Sequence, residues 1–440
     1  MGRIPFIKEE NNLSNSLLSI SHKREINFDS VSENKFWNVG DKKELKIHRI
    51  HSYPAKFPAF ITEKALEYAE NFSLKPTRIA DVFCGCGTVA LEAKRNNINF
   101  WGCDINPVAT MIAKAKSQDY EISTLNKYFN AIIEYYSKNN QNPSYSSAND
   151  RIKYWYTQNN YIDLYNLKFA IIMTVPHKSK YLLFFLCAFS NILKQTSKWL
   201  TKSIKPQIDP NKEPTQVLKA FNQQFIFMLD ACIEANNIKV TKDAASKIVN
   251  GSFLNKRIKV PKVDMIITSP PYVTSYEYAD LHQLSSLWLD YTDDYRSLRT
   301  GSIGSLHHEY NFNKELKKLN NIGSNIVFRL MEKDRGKAKS VAKYFLDMQM
   351  VARKSYEMLT DEGAAVFVIG NTEYKNIRIE NAQHLTESLL DSGFKSVVVT
   401  KRKISKKILT PYRDENGKFT TDKNSRKVYS EEFILIGRKK

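Results

Sequence analysis

Cysteine is scarce: five residues in a chain of 440. A small, odd set excludes a disulfide-stapled scaffold and fits buried thiols of a cytoplasmic protein. Cys84, Cys86 and Cys103 lie close in sequence, but without the paired C-x-x-C spacing or the neighbouring histidines of a zinc site, so no metal is expected. A long apolar run is missing too. The most apolar stretch begins at Phe169, and the polar run His177 to Lys180 splits it into pieces too short to span a bilayer. These read as core helices, and no membrane association is expected. The N-terminus, MGRIPFIKEENN, lacks the apolar core of a signal peptide. Acidic residues are in deficit: 46 Asp and Glu face 66 Lys and Arg, a formal net charge of +20. Such a surplus implies a polyanionic partner, most often nucleic acid, although a merely basic soluble protein would share it.

The length suits one large domain with an insertion, or two or three domains. Residues 1–45 are polar with few periodic apolar positions, which predicts an irregular arm. Beyond them Ile61, Ala65, Leu66, Ala69 and Phe72 share a helical face, with Thr62 as a candidate cap. A short apolar run from Arg78 to Phe83, a glycine turn, a helical stretch and INFWGCDI follow. Strand, turn, helix, strand is a βαβ unit and implies a parallel sheet. Residues 121–245 carry helical patterns and few strand signals, so they read as a mostly helical insertion. The α/β pattern resumes at Val263 to Thr268, where two prolines end the run because they cannot continue a central strand. Residues 299–344 read as loop-rich. An amphipathic helix, YFLDMQMVARKSYEML, then leads through Thr360 to Gly363 into the strand AAVFVIG. A helix near Ala382 to Asp391, a strand at Ser396 to Thr400 and a last strand, EEFILIG, complete the pattern. The basic stretch Lys401 to Lys418 reads as a long loop or hairpin. The fold class is therefore α/β with a helical insertion.

Two motifs carry chemistry. In the first, Asp81 to Thr88 sits where a strand gives way to a helix. Glycines there allow a tight turn and let a ligand approach the backbone without meeting a Cβ atom. The helix N-terminus beyond favours a negative group. Asp104 ends the next strand, where a carboxylate can accept hydrogen bonds from ribose hydroxyls. Asn106-Pro107 starts the following helix and could border an adenine ring, or simply begin a helix. The spacing Gly85-x-Gly87-x-x-Ala90 equally fits a nicotinamide or flavin site, or a plain turn.

The second motif is Ser269-Pro270-Pro271-Tyr272. The amino group of a base is a poor nucleophile, because its lone pair is conjugated with the ring. It needs acceptors that hold both N–H bonds and turn the lone pair toward a donor. The Ser269 hydroxyl and the Pro270 carbonyl can supply them. The prolines fix the loop in advance. Tyr272 offers a face on which a flipped base can stack. A turn without chemistry is the bland alternative.

Together these residues resemble the amino-group DNA methyltransferases, which pair an F-x-G-x-G loop with an S/D/N-P-P-Y/F loop. The matches are Phe83-Cys84-Gly85-Cys86-Gly87 and SPPY, and the serine form is associated with cytosine N4. HSYPAKFPA, around Tyr53 to Pro58, and the stretch Tyr276 to Leu289 are similar as well. The resemblance implies a Rossmann-like sheet flanked by helices and S-adenosylmethionine as cofactor. Asp81, Gly85 and Gly87 would line its methionine part, and Tyr53, Pro54, Lys56, Phe57, Phe83, Cys84 and Thr88 would be further cofactor-binding residues. Asp104 would hold the ribose, Asn106 with Pro107 would border the adenine, and Ile105 is counted with the cofactor-binding residues. Ser252 stands where many members carry an acidic residue. The catalytic domain would comprise 46–120, 246–298 and 345–440.

The implied partner is double-stranded DNA, with a cognate restriction endonuclease beside it. Candidate DNA contacts are Arg151, Lys153 and Trp155, then Lys198, Lys202 and Lys205 in the insertion, and Arg402 and Lys403. Cations meet phosphates and aromatics stack on bases, although aromatics at helical spacing are more often core. Residues 299–344 are a second candidate DNA-contact region, with His307 and His308 as ordinary loop residues. The expected function is methylation of cytosine N4 in duplex DNA after base flipping, as the modification half of a restriction system; the alternatives are methylation of adenine N6, then of an RNA base, and a catalytically silent DNA-binding subunit.

Overall fold

The structure is a computed structural model. It describes residues 17–40, 43–237, 244–273, 277–306, 310–404, 412–413, 420–424, 426–427 and 431–439. His307 and His308, Tyr276, residues 1–16 and most of the stretch from 405 to 418 lie outside the described residues.

The strands are β1 (Leu18–Ile20), β2 (Arg78–Asp81), β3 (Asn99–Asp104), β4 (Ser246–Asn250), β5 (Val263–Thr268) and β6 (Leu359–Ile369). They continue with β7 (Thr372–Tyr374), β8 (Ile377–Ile379), β9 (Ser396–Lys403), β10 (Tyr412–Arg413), β11 (Arg426–Lys427) and β12 (Glu431–Arg438). Eight of them form one sheet in the order β1-β9-β12-β6-β5-β2-β3-β4. From β4 to β6 all neighbours are parallel. β12 runs antiparallel to both β6 and β9. The chain winds from β2 outward through β3 to β4, then returns to place β5 on the other side of β2. The winding thus reverses between β2 and β5, and ligands of open α/β sheets bind at the carboxyl ends of such strands. This is the expected Rossmann-like α/β sheet with helices on both faces.

Alternation along the central strands divides the core. Met265 and Ile267 of β5 and Val366 and Val368 of β6 face one buried cluster with Trp37, Ile61 and Val89. Ile266 of β5 and Ala365 and Phe367 of β6 face the other, with Phe345, Val351 and Leu385. Successive side chains of a strand point to opposite faces, so both faces are covered.

The described residues between 121 and 245 are mostly helical, with helices Ile122–Lys138, Asp150–Trp155, Gln158–Thr174, Lys180–Ile192 and Val217–Asn236. Their core is continuous with the α/β part. One buried cluster joins Leu125, Leu164, Phe185 and Phe221 to Val108, Met111 and Ile112, and to Leu284, Leu287 and Trp288 just beyond the proline loop. No helix of the described residues is long and apolar enough to cross a membrane.

Four expectations need correction. Residues 17–40 are not an irregular arm: β1 adds an edge to the sheet against β9, and Trp37 is fully buried. β4 was not anticipated, because an edge strand with half-exposed residues lacks a strong apolar signal. Residues 299–344 are helical from Phe312 onward. Asn311, Asn320 and Asp334, polar residues that suggest loops, each accept a backbone N–H at a helix start. Thr62 does not cap the helix Ala59–Glu70: Pro58 precedes it, and Thr62 is buried within its first turn.

Trp37→Ala should lower stability by about 3–5 kcal/mol, the usual cost of emptying an aromatic site. Urea unfolding read by tryptophan fluorescence and circular dichroism checks it; an unchanged midpoint would return this segment to the status of an arm.

Candidate active site

β2 and β5 deliver both motifs to one end of the sheet. Asp81, the last residue of β2, is 3% exposed and accepts from the Phe83 amide at 3.1 Å and from the Thr268 hydroxyl at 2.6 Å. Thr268 ends β5, one residue before the proline loop. Burial raises the Asp81 carboxyl to about 7, against those two hydrogen bonds. The unfolded group ionises near 3.8, so its contribution to stability falls as pH rises from there toward 7.

The glycine turn bends through two left-handed residues, Gly85 at φ 46° and Gly87 at φ 77°. Their roles differ. A Cβ on Gly85 would meet nothing nearer than the Tyr53 ring at 3.5 Å, so that position lies open beside an aromatic wall. A Cβ on Gly87 would lie 2.7 Å from that of Ala113, so close helix packing also requires glycine there. Asp104, at the end of β3, holds the turn from below. One carboxylate oxygen accepts the Gly85 amide at 2.9 Å and the other the Asn106 amide at 2.9 Å. Burial lifts its carboxyl to about 6.

Around this turn, Tyr53 stacks on His282 at 4.9 Å, and burial pushes the His282 imidazole down to about 3. Lys56 is tied to Glu44, and Phe57 packs into the cluster that contains Cys84. Pro54 adjoins Ala55, a residue with φ 55°. Asn106 caps the helix Pro107–Lys116 by accepting the Val108 amide at 3.0 Å. Ile105 lies under Gly301. Ser252 follows Gly251, whose amide bonds the Asp104 carbonyl at 2.8 Å, so the serine does fall beside Asp104. Two buried polar atoms, Thr88 Oγ1 and Asn106 Nδ2, have no partner among the described residues. Orphan groups at two helix starts, an open glycine and a carboxylate with spare lone pairs fit a nucleoside ligand.

At the proline loop, the Ser269 hydroxyl donates to the Val368 carbonyl at 2.9 Å. The Pro271 carbonyl accepts from the Tyr344 hydroxyl at 2.9 Å. Tyr272 donates its hydroxyl to Glu432 at 2.8 Å, and its ring edge rests on Gly370. Burial and the Glu432 carboxylate hold the Tyr272 phenol well above its usual range, so it stays protonated. Thr268, Tyr344, Gly370 and Glu432 were all missed from sequence. Only Glu432, a charge opening an apolar strand, left a trace there.

The DNA-contact candidates separate. Trp155 is 1% exposed, donates to Gln283 at 3.0 Å and stacks on Trp199, so burial removes it as a contact. Arg402 is 5% exposed and paired with Glu432, which removes it too. Arg151 is half-buried, bonded to Gln283 at 2.6 Å and lying against Tyr154, itself exposed. Lys153 pairs with Asp150. Lys202, Lys205 and Lys403 are exposed and Lys198 half-exposed. Lys401 to Lys403, expected in a loop, belong to β9, because that strand pairs with β12 along its whole length.

The strand order, with the two loops at its switch point, is that of a Rossmann-like methyltransferase. The family model described as DNA methylase matches residues 6–115. The model of the D12 class N6 adenine-specific DNA methyltransferases matches residues 66–297, more than half of the chain. The chain belongs to the amino-group DNA methyltransferases. It is 26% identical over 368 residues to the type II methyltransferase M.MvaI of Kocuria varians, covering 77% of this chain and 79% of that one. The type II methyltransferase M.BsoBI of Geobacillus stearothermophilus is 24% identical over 304 residues, 62% and 59% of the two chains. The rRNA methyltransferase aviRa of Streptomyces viridochromogenes aligns over 91% of this chain and 94% of its own, at 8% identity and a TM-score of 0.27, too low to carry a structural argument. The family implies S-adenosylmethionine as methyl donor and DNA as substrate.

A protonated carboxyl gives up acceptor capacity. If Asp104 holds ribose hydroxyls, S-adenosylmethionine affinity should fall as pH drops through about 6, approaching tenfold per pH unit. Asp104→Asn should bind weakly and without this pH dependence. Calorimetry from pH 5 to 8 checks both; a wild-type affinity flat across that range would take Asp104 out of the site.

Proposed function

We propose that this chain transfers a methyl group from S-adenosylmethionine to the exocyclic N4 of cytosine in duplex DNA, after flipping the base out of the helix. The observation that carries this is the Ser269 hydroxyl. Its proton is given to Val368, so what remains for a substrate is lone pairs. An amino group offers two N–H donors and needs two acceptors. Ser269 takes one, and the carbonyl of Pro270 takes the other, while that of Pro271 is engaged by Tyr344. Held in this way, the amino nitrogen turns its lone pair out of conjugation and toward the methyl donor. When bound, the sulfonium gives its methyl group to the amino nitrogen and leaves as a neutral thioether, and the methylated nitrogen then loses one proton to solvent; the chain supplies orientation. Tyr272 stacks on the flipped base.

Gly85 and Tyr53 line the methionine end of the cofactor and Asp104 takes the ribose. Ile105 and Asn106 border the adenine, with Ser252 in place of an acidic contact. Residues 121–245 are assigned to DNA recognition, with Arg151, Lys198, Lys202 and Lys205 against phosphates; Lys403 and residues 299–344 add backbone contacts. The type II relatives support a place in a restriction–modification system with a partner nuclease.

The serine at position 269 favours cytosine through family resemblance. The D12 match favours adenine N6 as the second reading. Mass spectrometry of nucleosides from DNA methylated in vitro decides: N4-methylcytosine is expected, and N6-methyladenine alone overturns the cytosine assignment. Ser269→Ala should lower turnover about a hundredfold, the scale of one lost transition-state hydrogen bond. Cofactor affinity should stay within about twofold of wild type, because no cofactor contact is removed.

A further inference from the structure

We propose that Glu432, held by Arg402, is a positioning residue that clamps the catalytic-loop tyrosine, Tyr272, in its working orientation. This rests on the reading of Ser269 to Tyr272 as the loop that receives the base. Glu432 and Arg402 face each other directly across β12 and β9. One carboxylate oxygen accepts the Tyr272 hydroxyl at 2.8 Å, and the other is bonded by the Arg402 guanidinium. The pair is buried, with side chains only 6% and 16% exposed. The guanidinium also lies over the Phe60 ring at 5.7 Å.

A buried ion pair is poor evidence of stabilisation, since desolving two charges offsets most of their attraction. Apolar residues at the same two strand positions would serve the core as well. What the pair adds is direction. With one oxygen fixed by Arg402, the other is aimed at Tyr272 and cannot swing away. Gly370 closes the remaining side: a Cβ there would stand 3.1 Å from the Tyr272 ring. The strand carrying Arg402 is braced in turn. Asn34 donates to the Lys401 carbonyl at 2.9 Å, and Lys403 donates to Asn38 at 2.9 Å. The clamp is therefore built from the antiparallel strands, outside both motifs. It also engages the tyrosine hydroxyl, so Tyr272 meets the base with its ring and not as a proton donor.

The test is methyl transfer by the full chain to unmethylated plasmid DNA, with S-adenosylmethionine binding measured alongside. Tyr272→Phe removes the clamped hydroxyl but leaves the ion pair. Its kcat should fall about tenfold, with KM for DNA and cofactor affinity within about twofold of wild type. Glu432→Ala should show the same split, and the double variant should fall no further than either single one. Glu432→Gln keeps an acceptor and should recover several-fold over Glu432→Ala. Wild-type kcat in Tyr272→Phe, or multiplied losses of about a hundredfold in the double variant, overturns the clamp. Should Glu432→Ala fail to fold, Tyr272→Phe decides alone by the same criterion. Ser269→Ala separates the two readings. Wild-type turnover there overturns the role of the loop itself, whereas its loss alongside an unimpaired Tyr272→Phe overturns the clamp only.

Discussion

One buried hydrogen bond, from the Thr268 hydroxyl to the Asp81 carboxylate, sets the relation between the two halves of the site. Asp81 closes β2 immediately before the glycine turn, and Thr268 closes β5 immediately before the proline loop. Parallel pairing of these strands brings their carboxyl ends together, and the bond fixes how the two loops leave the sheet. A buried carboxylate is costly, which is why its proton affinity rises so far. On the proposed reading that cost is tolerated because a cofactor turn and a substrate loop must keep one geometry. Asp104 repeats the device on the next strand, taking one amide from the turn and one from the helix start.

Around that bond the chain provides rigidity rather than acid–base chemistry. On the proposed reading the attack itself needs no general base, because the hydrogens of the amino group are accepted and its lone pair is turned, and the surplus proton leaves after transfer. What matters is that the acceptors do not move. Ser269 is pinned to Val368 of β6, the Pro271 carbonyl to Tyr344 of the helix Arg335–Met358, and Tyr272 to Glu432 of β12. Three separate elements thus anchor three of the four residues of the loop. Both prolines lower the entropy lost in holding it.

Much of this was legible in the sequence, and the reasons are physical. β2, β3, β5 and β6 are buried on both faces and read as continuous apolar runs. The two motifs stand at the ends of such runs, so their placement followed from strand assignment alone. Edge and cap features did not show. β4 is half-exposed, β1 has three residues, and the caps Asn311, Asn320 and Asp334 look like loop residues until the helices they start are seen. Long-range partners were invisible for another reason. Tyr344 and Glu432 lie 73 and 160 residues from the loop positions they hold, and no local pattern encodes a contact of that separation. Aromatics misled in the other direction: Trp155, read as a candidate DNA contact, stacks on Trp199 in the interior.

The most direct measurement is a crystal structure of the protein with sinefungin, a stable analogue of S-adenosylmethionine. The amino-acid end should lie beside Gly85 and Tyr53, the ribose hydroxyls on Asp104, and the amine that replaces the methylsulfonium should face Ser269. An analogue bound elsewhere, as in the open groove lined by Tyr310, Phe312 and Arg335, would contradict it.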